Sequence, residues 1–165
     1  MRCLLACLFF IVGLPLITVA QSPNPAEAKE IFCGFEDGAS LKLQYSAASK
    51  SGDMHDGKMW QPGGAPMTLF TQVKLMAGGV EIPEGAYSLY VFPRKGNWIL
   101  VVSKNVVANS KYDEKQDLVR VKMESVSVDT PFKSLDIAFA HTAPKECNLR
   151  MYYGKTGAWA EFREK

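Results

Sequence analysis

The sequence predicts an all-β fold, an antiparallel β-sandwich or jelly roll of about eight strands. Short runs alternate apolar and polar residues, as in Leu41, Leu43 and Tyr45, and a period of two is typical of strands with one buried face. Gly, Pro, Asn and Asp separate these runs and supply turns. No apolar stripe with helical spacing extends over the usual length of a helix.

The strands group around one central segment. Residues 98–102 are apolar at every position, which indicates a strand covered on both faces. It follows the strand 87–92 across a hairpin loop at 93–97 that contains Pro, Gly and Asn. Residues 69–75 continue the alternating pattern as one strand, Gly78 and Gly79 predict another tight turn, and residues 155–157 are expected to join the last two strands.

The first twenty residues predict export. Arg2 supplies a positive charge, residues 4–19 are nearly all apolar, and small residues lead up to Ala20, as in a cleaved signal peptide. The alternative is an uncleaved anchor, because residues 3–20 approach the roughly 18 apolar residues at which a membrane helix becomes feasible. We expect cleavage after Ala20, a periplasmic or extracellular location, and no membrane span in the mature chain.

We expect the mature chain to form one domain. Residues 21–38 are assigned to an N-terminal extension with a short helical turn at 25–31, and residues 39–165 to a single β-sandwich domain. Removal of residues 1–20 takes away one arginine and leaves 18 basic against 17 acidic residues, with the two signs dispersed. Since no basic cluster marks a surface for polyanions, nucleic acid is not expected as a partner.

Two cysteines, Cys33 and Cys147, remain after cleavage. An even pair in an oxidising compartment predicts a disulfide that ties the start of the domain to a strand near its end. The alternative is a pair of free thiols in redox chemistry, but redox sites usually have the Cys-x-x-Cys spacing, which is missing here.

Two histidines are candidates for chemistry. His55 and Met54 lie in a polar segment, residues 53–59, and imidazole with thioether suits copper in exported proteins; the alternative is a solvated turn. His141 is in phase with Leu135 and Ile137, so we expect it at a buried or half-buried strand end. An enzyme would need His55 and His141 to meet near carboxylates. No catalytic residue is assigned and no cofactor expected, since the chain has no nucleophile elbow or dinucleotide fingerprint.

Aromatic residues provide candidates for ligand binding. Tyr87 and Trp98 fall with the inward residues and are expected in the core, whereas Tyr90, Tyr152 and Trp159 are expected on an exposed platform. The predicted ligand-binding residues are these three together with Trp60, which follows the polar segment 53–59, and His141.

Several motifs together resemble a known family. They are Gly-Lys-Met-Trp at 57–60, Gly-Gly-Val-Glu-Ile-Pro-Glu-Gly-Ala-Tyr-Ser-Leu at 78–89, Tyr-Asp-Glu-Lys at 112–115 and Tyr-Gly-Lys-Thr at 153–156. Over about residues 40–163 the chain resembles the exported bacterial family known as domain of unknown function 2911. The resemblance implies a signal peptide, a single β-rich domain and no established activity. Family members typically continue Arg-Thr-Gly-Ala-Asn-Glu after the tryptophan, whereas this chain has Gln-Pro-Gly-Gly-Ala-Pro at 61–66. Any site formed by that polar run is therefore altered here.

The sequence thus favours an exported β-sandwich that binds a small ligand or another envelope protein without catalysis. An enzyme using His55 and His141 is the first alternative. An envelope metal-binding protein using His55 and Met54 is the second.

Overall fold

The computed structural model describes residues 28–46, 55–61, 66–94, 96–107 and 111–165. Within these ranges the chain forms ten strands and one 3-10 turn, Glu114–Gln116. In chain order the strands are β1 (Ala28–Gly34), β2 (Ser40–Ser46), β3 (Met67–Thr71), β4 (Leu75–Ala77), β5 (Val80–Ile82), β6 (Gly85–Phe92), β7 (Ile99–Ser103), β8 (Asp117–Lys122), β9 (Glu124–Ala143) and β10 (Glu146–Glu164). No helix in the described ranges is long and apolar enough to cross a membrane.

The strands form two antiparallel sheets. One has six strands in the order β1-β2-β3-β6-β7-β8, and the other has four in the order β5-β4-β10-β9. Every paired neighbour runs antiparallel. The predicted all-β sandwich is therefore confirmed, with ten strands in place of about eight.

The main apolar core lies between the sheets. Leu41, Leu43 and Leu69 enter it from the six-stranded sheet, and Leu149 and Phe162 from the four-stranded sheet, all at 0% exposure. The alternating pattern therefore predicted the inward face of each sheet. The central strand is confirmed as well, because β7 lies between β6 and β8 and is buried on both faces.

The start of the domain differs from the prediction. Residues 28–34, which the sequence assigned partly to a helical turn and wholly to an extension, form β1 and pair with β2 from Ala28 opposite Ser46 to Gly34 opposite Ser40. Pairing with β2 supplies the backbone partners that a helical turn would have supplied, so tertiary context overrides the helical preference of Ala and Glu.

The strand predicted at 69–75 is two strands in different sheets. β3 ends at Thr71, whose hydroxyl donates to the Val73 carbonyl at 2.6 Å and accepts from the Val73 amide at 3.2 Å. This local turn replaces ladder hydrogen bonds and lets the chain cross to the other sheet. The alternation stays in phase across the turn, which is why it resembled one strand.

The last two strands form a long hairpin with a bulge. Gly154 pairs with Phe132 and Thr156 with Ser127, so four residues of β9 lie opposite one residue of β10. Gly154 has a φ of 56°, a left-handed conformation that favours glycine. The junction predicted at 155–157 therefore lies inside β10, beside this bulge. The end of that strand returns to the hairpin tip, where the Glu164 amide donates to the Lys145 carbonyl at 2.8 Å.

The predicted disulfide is confirmed. Cys33 in β1 and Cys147 in β10 are bonded, and both are buried. The bond joins an edge strand of the six-stranded sheet to the four-stranded sheet. The predicted signal peptide, residues 1–20, lies outside the described residues.

Candidate functional site

A cleft of about 670 Å³ lies at one end of the sandwich, and we call it the bend cleft. Its walls come from the turn containing Asp56, the β6–β7 loop with Arg94, the start of β9 at residues 125–127, and the bend of β10 at Lys155 and Thr156. Four separate parts of the chain therefore meet around one concave surface, which is the usual form of a small-ligand site.

Backbone hydrogen bonds hold the turn of residues 55–58 against the end of β6. The Gly57 amide donates to the Pro93 carbonyl at 2.6 Å, and the Lys58 amide donates to the His55 carbonyl at 3.2 Å. Gly57 has a φ of 71°, so glycine suits the turn. Trp60 then bridges to Val91 of β6, which fixes the wall that carries Asp56.

Aromatic packing supports the base of the bend cleft. Trp98, which lines the cleft, is 3% exposed and meets Trp60 edge-on with ring centroids 5.6 Å apart. Trp60 in turn packs against Tyr153 at 5.0 Å. The core positions predicted for Tyr87 and Trp98 are confirmed. Trp60 therefore contacts both of the other rings, and the base of the cleft is held by core packing.

The bend cleft carries an excess of positive charge. Arg94 and Lys155 are exposed, and neither forms an ion pair with any described residue. Asp56 is the one carboxylate among the described lining residues. Hydroxyl groups from Ser125, Ser127 and Thr156 provide further donors and acceptors. The arrangement suits a ligand with an anionic group and an apolar body.

The two histidines lie at opposite ends of the sandwich. His55 lies in the turn whose Gly57 amide donates to the Pro93 carbonyl, just beyond the Phe92 end of β6. His141 pairs with Cys147, which is bonded to Cys33. Cys33 lies in a row of paired residues across the six-stranded sheet, and this row ends at Gly85, the other end of β6. Eight residues of strand span about 25 Å. The structure therefore does not bring the two imidazoles into one acid–base site.

His141 is exposed, so its predicted burial is wrong. It keeps the phase of Leu135 and Ile137, which are buried, but Phe139 is already half-buried and the strand ends at Ala143. The position thus lies past the edge of the core. His55 is exposed too.

The predicted metal site cannot be placed, because Met54 lies outside the described residues. Among the residues that the structure does describe, no three His, Cys, Asp or Glu side chains are grouped so as to hold a metal ion.

The aromatic candidates are dispersed. Tyr90 is 1% exposed, so its predicted exposure is wrong, and Trp60 belongs to the core. Tyr152 is half-buried and stacks on Phe132 with centroids 5.0 Å apart. Trp159 is half-buried and lines a second cleft of about 410 Å³. The predicted residues therefore form no common platform.

Tyr90 is buried on the outer face of the six-stranded sheet. In that sheet it lies in one cross-strand row with Val101 and Arg120. The ring of Tyr112, from the segment between β7 and β8, covers Tyr90 with centroids 4.9 Å apart. Burial raises the pKa of the Tyr90 phenol. A segment without regular structure thus converts this face into a small second core.

A polar network that strand patterns do not indicate holds Tyr112 in place. The Tyr112 hydroxyl donates to Asp117 Oδ2 at 2.6 Å, and Arg120 Nε donates to the same oxygen at 2.9 Å. Arg120 also pairs with Glu114 at 3.1 Å. Burial, together with the Asp117 carboxylate, raises the pKa of the Tyr112 phenol. The one available sequence signal was the Tyr-Asp-Glu-Lys motif, whose tyrosine and glutamate take part.

Comparison with known proteins gives one match. A family model described as "Protein of unknown function (DUF2911)" matches residues 28–162. No curated protein matches the chain, and no solved structure does.

Proposed function

The chain belongs to the DUF2911 family of proteins of unknown function, and for this member we propose a non-catalytic binding function, the capture of a small organic anion in the bend cleft of an exported protein. The observation that carries the proposal is the pair of cations, Arg94 and Lys155, on the walls of a cleft of about 670 Å³. Both side chains are hydrogen-bond donors, and a carboxylate or a phosphate ester provides acceptor oxygens for them.

The two cations have complementary roles. Arg94 presents a planar fork that matches a carboxylate or phosphate in a bidentate manner, whereas Lys155 supplies a mobile point charge. Neither is committed to an ion pair within the described residues. Binding an anion therefore does not require breaking an ion pair, which lowers its free-energy cost.

The base of the cleft favours a ligand with an apolar body. Trp98 is held by Trp60 and Tyr153, and Val126 leaves 47% of its surface exposed at the lining. An isolated inorganic anion would leave this surface in water. An organic anion covers it and gains hydrophobic free energy in addition to the charge contacts.

A binding function requires fewer functional groups in the cleft than a catalytic function does. The described lining holds one carboxylate, Asp56, and contains no histidine or thiol. Among the described lining residues, acid–base or nucleophilic chemistry would have to use Asp56, Lys155 or the hydroxyl groups. Cations and hydroxyls over an apolar base are sufficient for recognition.

Two observations support export. The first twenty residues have the composition of a signal peptide, and Cys33 and Cys147 form a disulfide, a bond that persists in oxidising compartments. Cell fractionation with alkylation of free thiols tests this part. Protein recovered outside the cytoplasm, shortened by twenty residues and without alkylation at either cysteine, is expected.

Calorimetric titration of the exported protein tests the ligand class. The probes are glucuronate, glucose 6-phosphate and benzoate, with glucose as the neutral control, at low ionic strength. We expect at least one anion to bind and glucose not to compete. Arg94→Gln and Lys155→Gln should each weaken binding by about tenfold or more, since each removes a charge-assisted contact.

Lys104→Gln is the matched control variant. Lys104 is exposed and follows the last residue of β7, about 20 Å along the strand from Trp98. The Lys104→Gln substitution removes one positive charge at a position away from the cleft, so the affinity for the anion should stay within a factor of two. Absence of binding by every anion, or equal losses in all three variants, overturns the proposal.

A further inference from the structure

A second cleft, of about 410 Å³, lies where the β4–β5 turn approaches the end of β8 and the C-terminal half of β10. We call it the edge cleft. Its lining includes Gly78, Lys122, Glu124, Trp159, Glu161 and Arg163. It shares no lining residue with the bend cleft.

We propose that the edge cleft is a binding site for a neutral saccharide unit, with Trp159 as the stacking surface and the surrounding charged side chains as hydrogen-bond partners of the sugar hydroxyls. This site is separate from the bend cleft, and it goes beyond the proposed anion binding.

Strand geometry places polar groups beside the indole of Trp159. Glu124 lies directly opposite Trp159 in the β9–β10 ladder, and side chains in such a pair lie on the same face with Cβ atoms about 5 Å apart. Glu161 and Arg163 follow at alternate positions of β10 and so share that face. Trp159 is half-buried, which leaves part of the ring accessible.

The charges of the edge cleft balance. Lys122 and Arg163 supply two cations, and Glu124 and Glu161 supply two anions. None of the four is in an ion pair with a described residue. A charged ligand would therefore meet repulsion from one pair as well as attraction from the other, whereas a neutral ligand avoids this cost.

The hydrogen-bonding chemistry matches hydroxyl groups. Carboxylates only accept and cationic groups only donate, while each sugar hydroxyl does both. A polyol can therefore bond to all four charged side chains without requiring a net charge of its own. The C–H face of a pyranose ring is apolar and can cover the accessible part of Trp159.

Two features keep the cleft open and fixed. Gly78 has a φ of 55°, and a Cβ at this position would lie 3.3 Å from Val121 Cγ2, so the turn packs directly on β8. Asn148, at the edge of the lining, donates its amide to Thr142 Oγ1 at 3.1 Å. The turn and the Asn148 side chain are therefore held in place, which reduces the ordering cost of binding.

Titration of the exported protein with cellobiose, maltotriose and N,N′-diacetylchitobiose tests the proposal, with indole fluorescence and calorimetry as readouts. At least one of these neutral sugars should bind. Trp159→Ala should weaken that binding by about tenfold or more. Trp159→Phe should restore part of it, because a flat ring remains for stacking.

Surface variants keep the test valid if Trp159→Ala does not fold. Glu161 and Arg163 are exposed, so Glu161→Gln and Arg163→Gln preserve the core and should each weaken sugar binding. Arg94→Gln in the bend cleft should leave it unchanged, which separates this proposal from the anion proposal. Failure of all three sugars to bind, binding unaffected by Glu161→Gln and Arg163→Gln, or a preference for glucuronate at this cleft overturns it.

Discussion

Loss of the Cys33–Cys147 disulfide should destabilise the protein strongly. Cys33 is the penultimate residue of the edge strand β1, and Cys147 is the second residue of β10. The bond closes a loop with a sequence separation of 114. It therefore restricts residues 33–147 in the unfolded state, while in the folded state it ties the outermost strand of one sheet to the other sheet.

The magnitude follows from the loop length. In the chain-entropy description, a loop closed across a separation of 114 residues reduces the entropy of the unfolded chain enough to contribute about 4 to 5 kcal/mol at 25 °C. For a protein of this size a loss of that order lowers the melting temperature by about 10 to 20 °C. Both sulfurs are buried, so reduction also requires β1 to separate from β10 before a reductant can reach them.

Equilibrium urea denaturation measures the effect. The oxidised protein, the reduced protein and the Cys33→Ala/Cys147→Ala variant are compared, with alkylation and mass spectrometry to count free thiols. The reduced protein should lose about 4 kcal/mol, and the double variant slightly more because it also loses sulfur packing. A loss below about 1 kcal/mol in fully reduced protein would refute the argument, since it would mean that the cross-link restricts little of the unfolded ensemble.

Two further changes test the fold. Gly78→Ala should cost about 1 to 3 kcal/mol in urea denaturation, and more than Gly79→Ala, because both have positive φ but a Cβ at Gly79 has no atom within 4 Å; equal losses would contradict the contact with Val121. Tyr112→Phe should cost about 1 to 2 kcal/mol near neutral pH, because the bond to Asp117 is lost. The raised pKa of Tyr112 favours the neutral phenol in the folded state. The contribution of Tyr112 to the free energy of unfolding is therefore fully present below pH about 10, and it decreases as the pH rises further. Stability measured against pH should therefore converge for wild type and variant at high pH, and parallel curves would contradict the assignment.

The core was predictable because it depends on an alternating pattern. Inward positions such as Leu43 and Leu149 repeat every two residues, and burial follows from that period alone. The disulfide was predictable for a different reason: Cys33 and Cys147 are the one possible pair when residues 1–20 are interpreted as a signal peptide.

Burial on the outer face was not predictable from the pattern. Tyr90 alternates correctly with Leu89 and Val91, and alternation places it away from the core between the sheets. It is nevertheless buried, because Tyr112 returns from an irregular segment and packs on it. Such a contact depends on the path of a loop, and period-two patterns contain no information about loop paths.

The candidate sites depend on a further irregularity, the bulge of the β9–β10 hairpin. Four residues of β9 face one residue of β10 there, and an unequal count bends the strand and redirects its side chains. Lys155 on β10 and residues 125–127 on β9 lie at this bend and line one cleft; Trp159 and Glu124 lie just beyond it and line the other. In a regular ladder these side chains would alternate along two straight strands and would not converge. The groups proposed for binding therefore share one structural origin, which explains why strand patterns predicted the scaffold while the sites required the register.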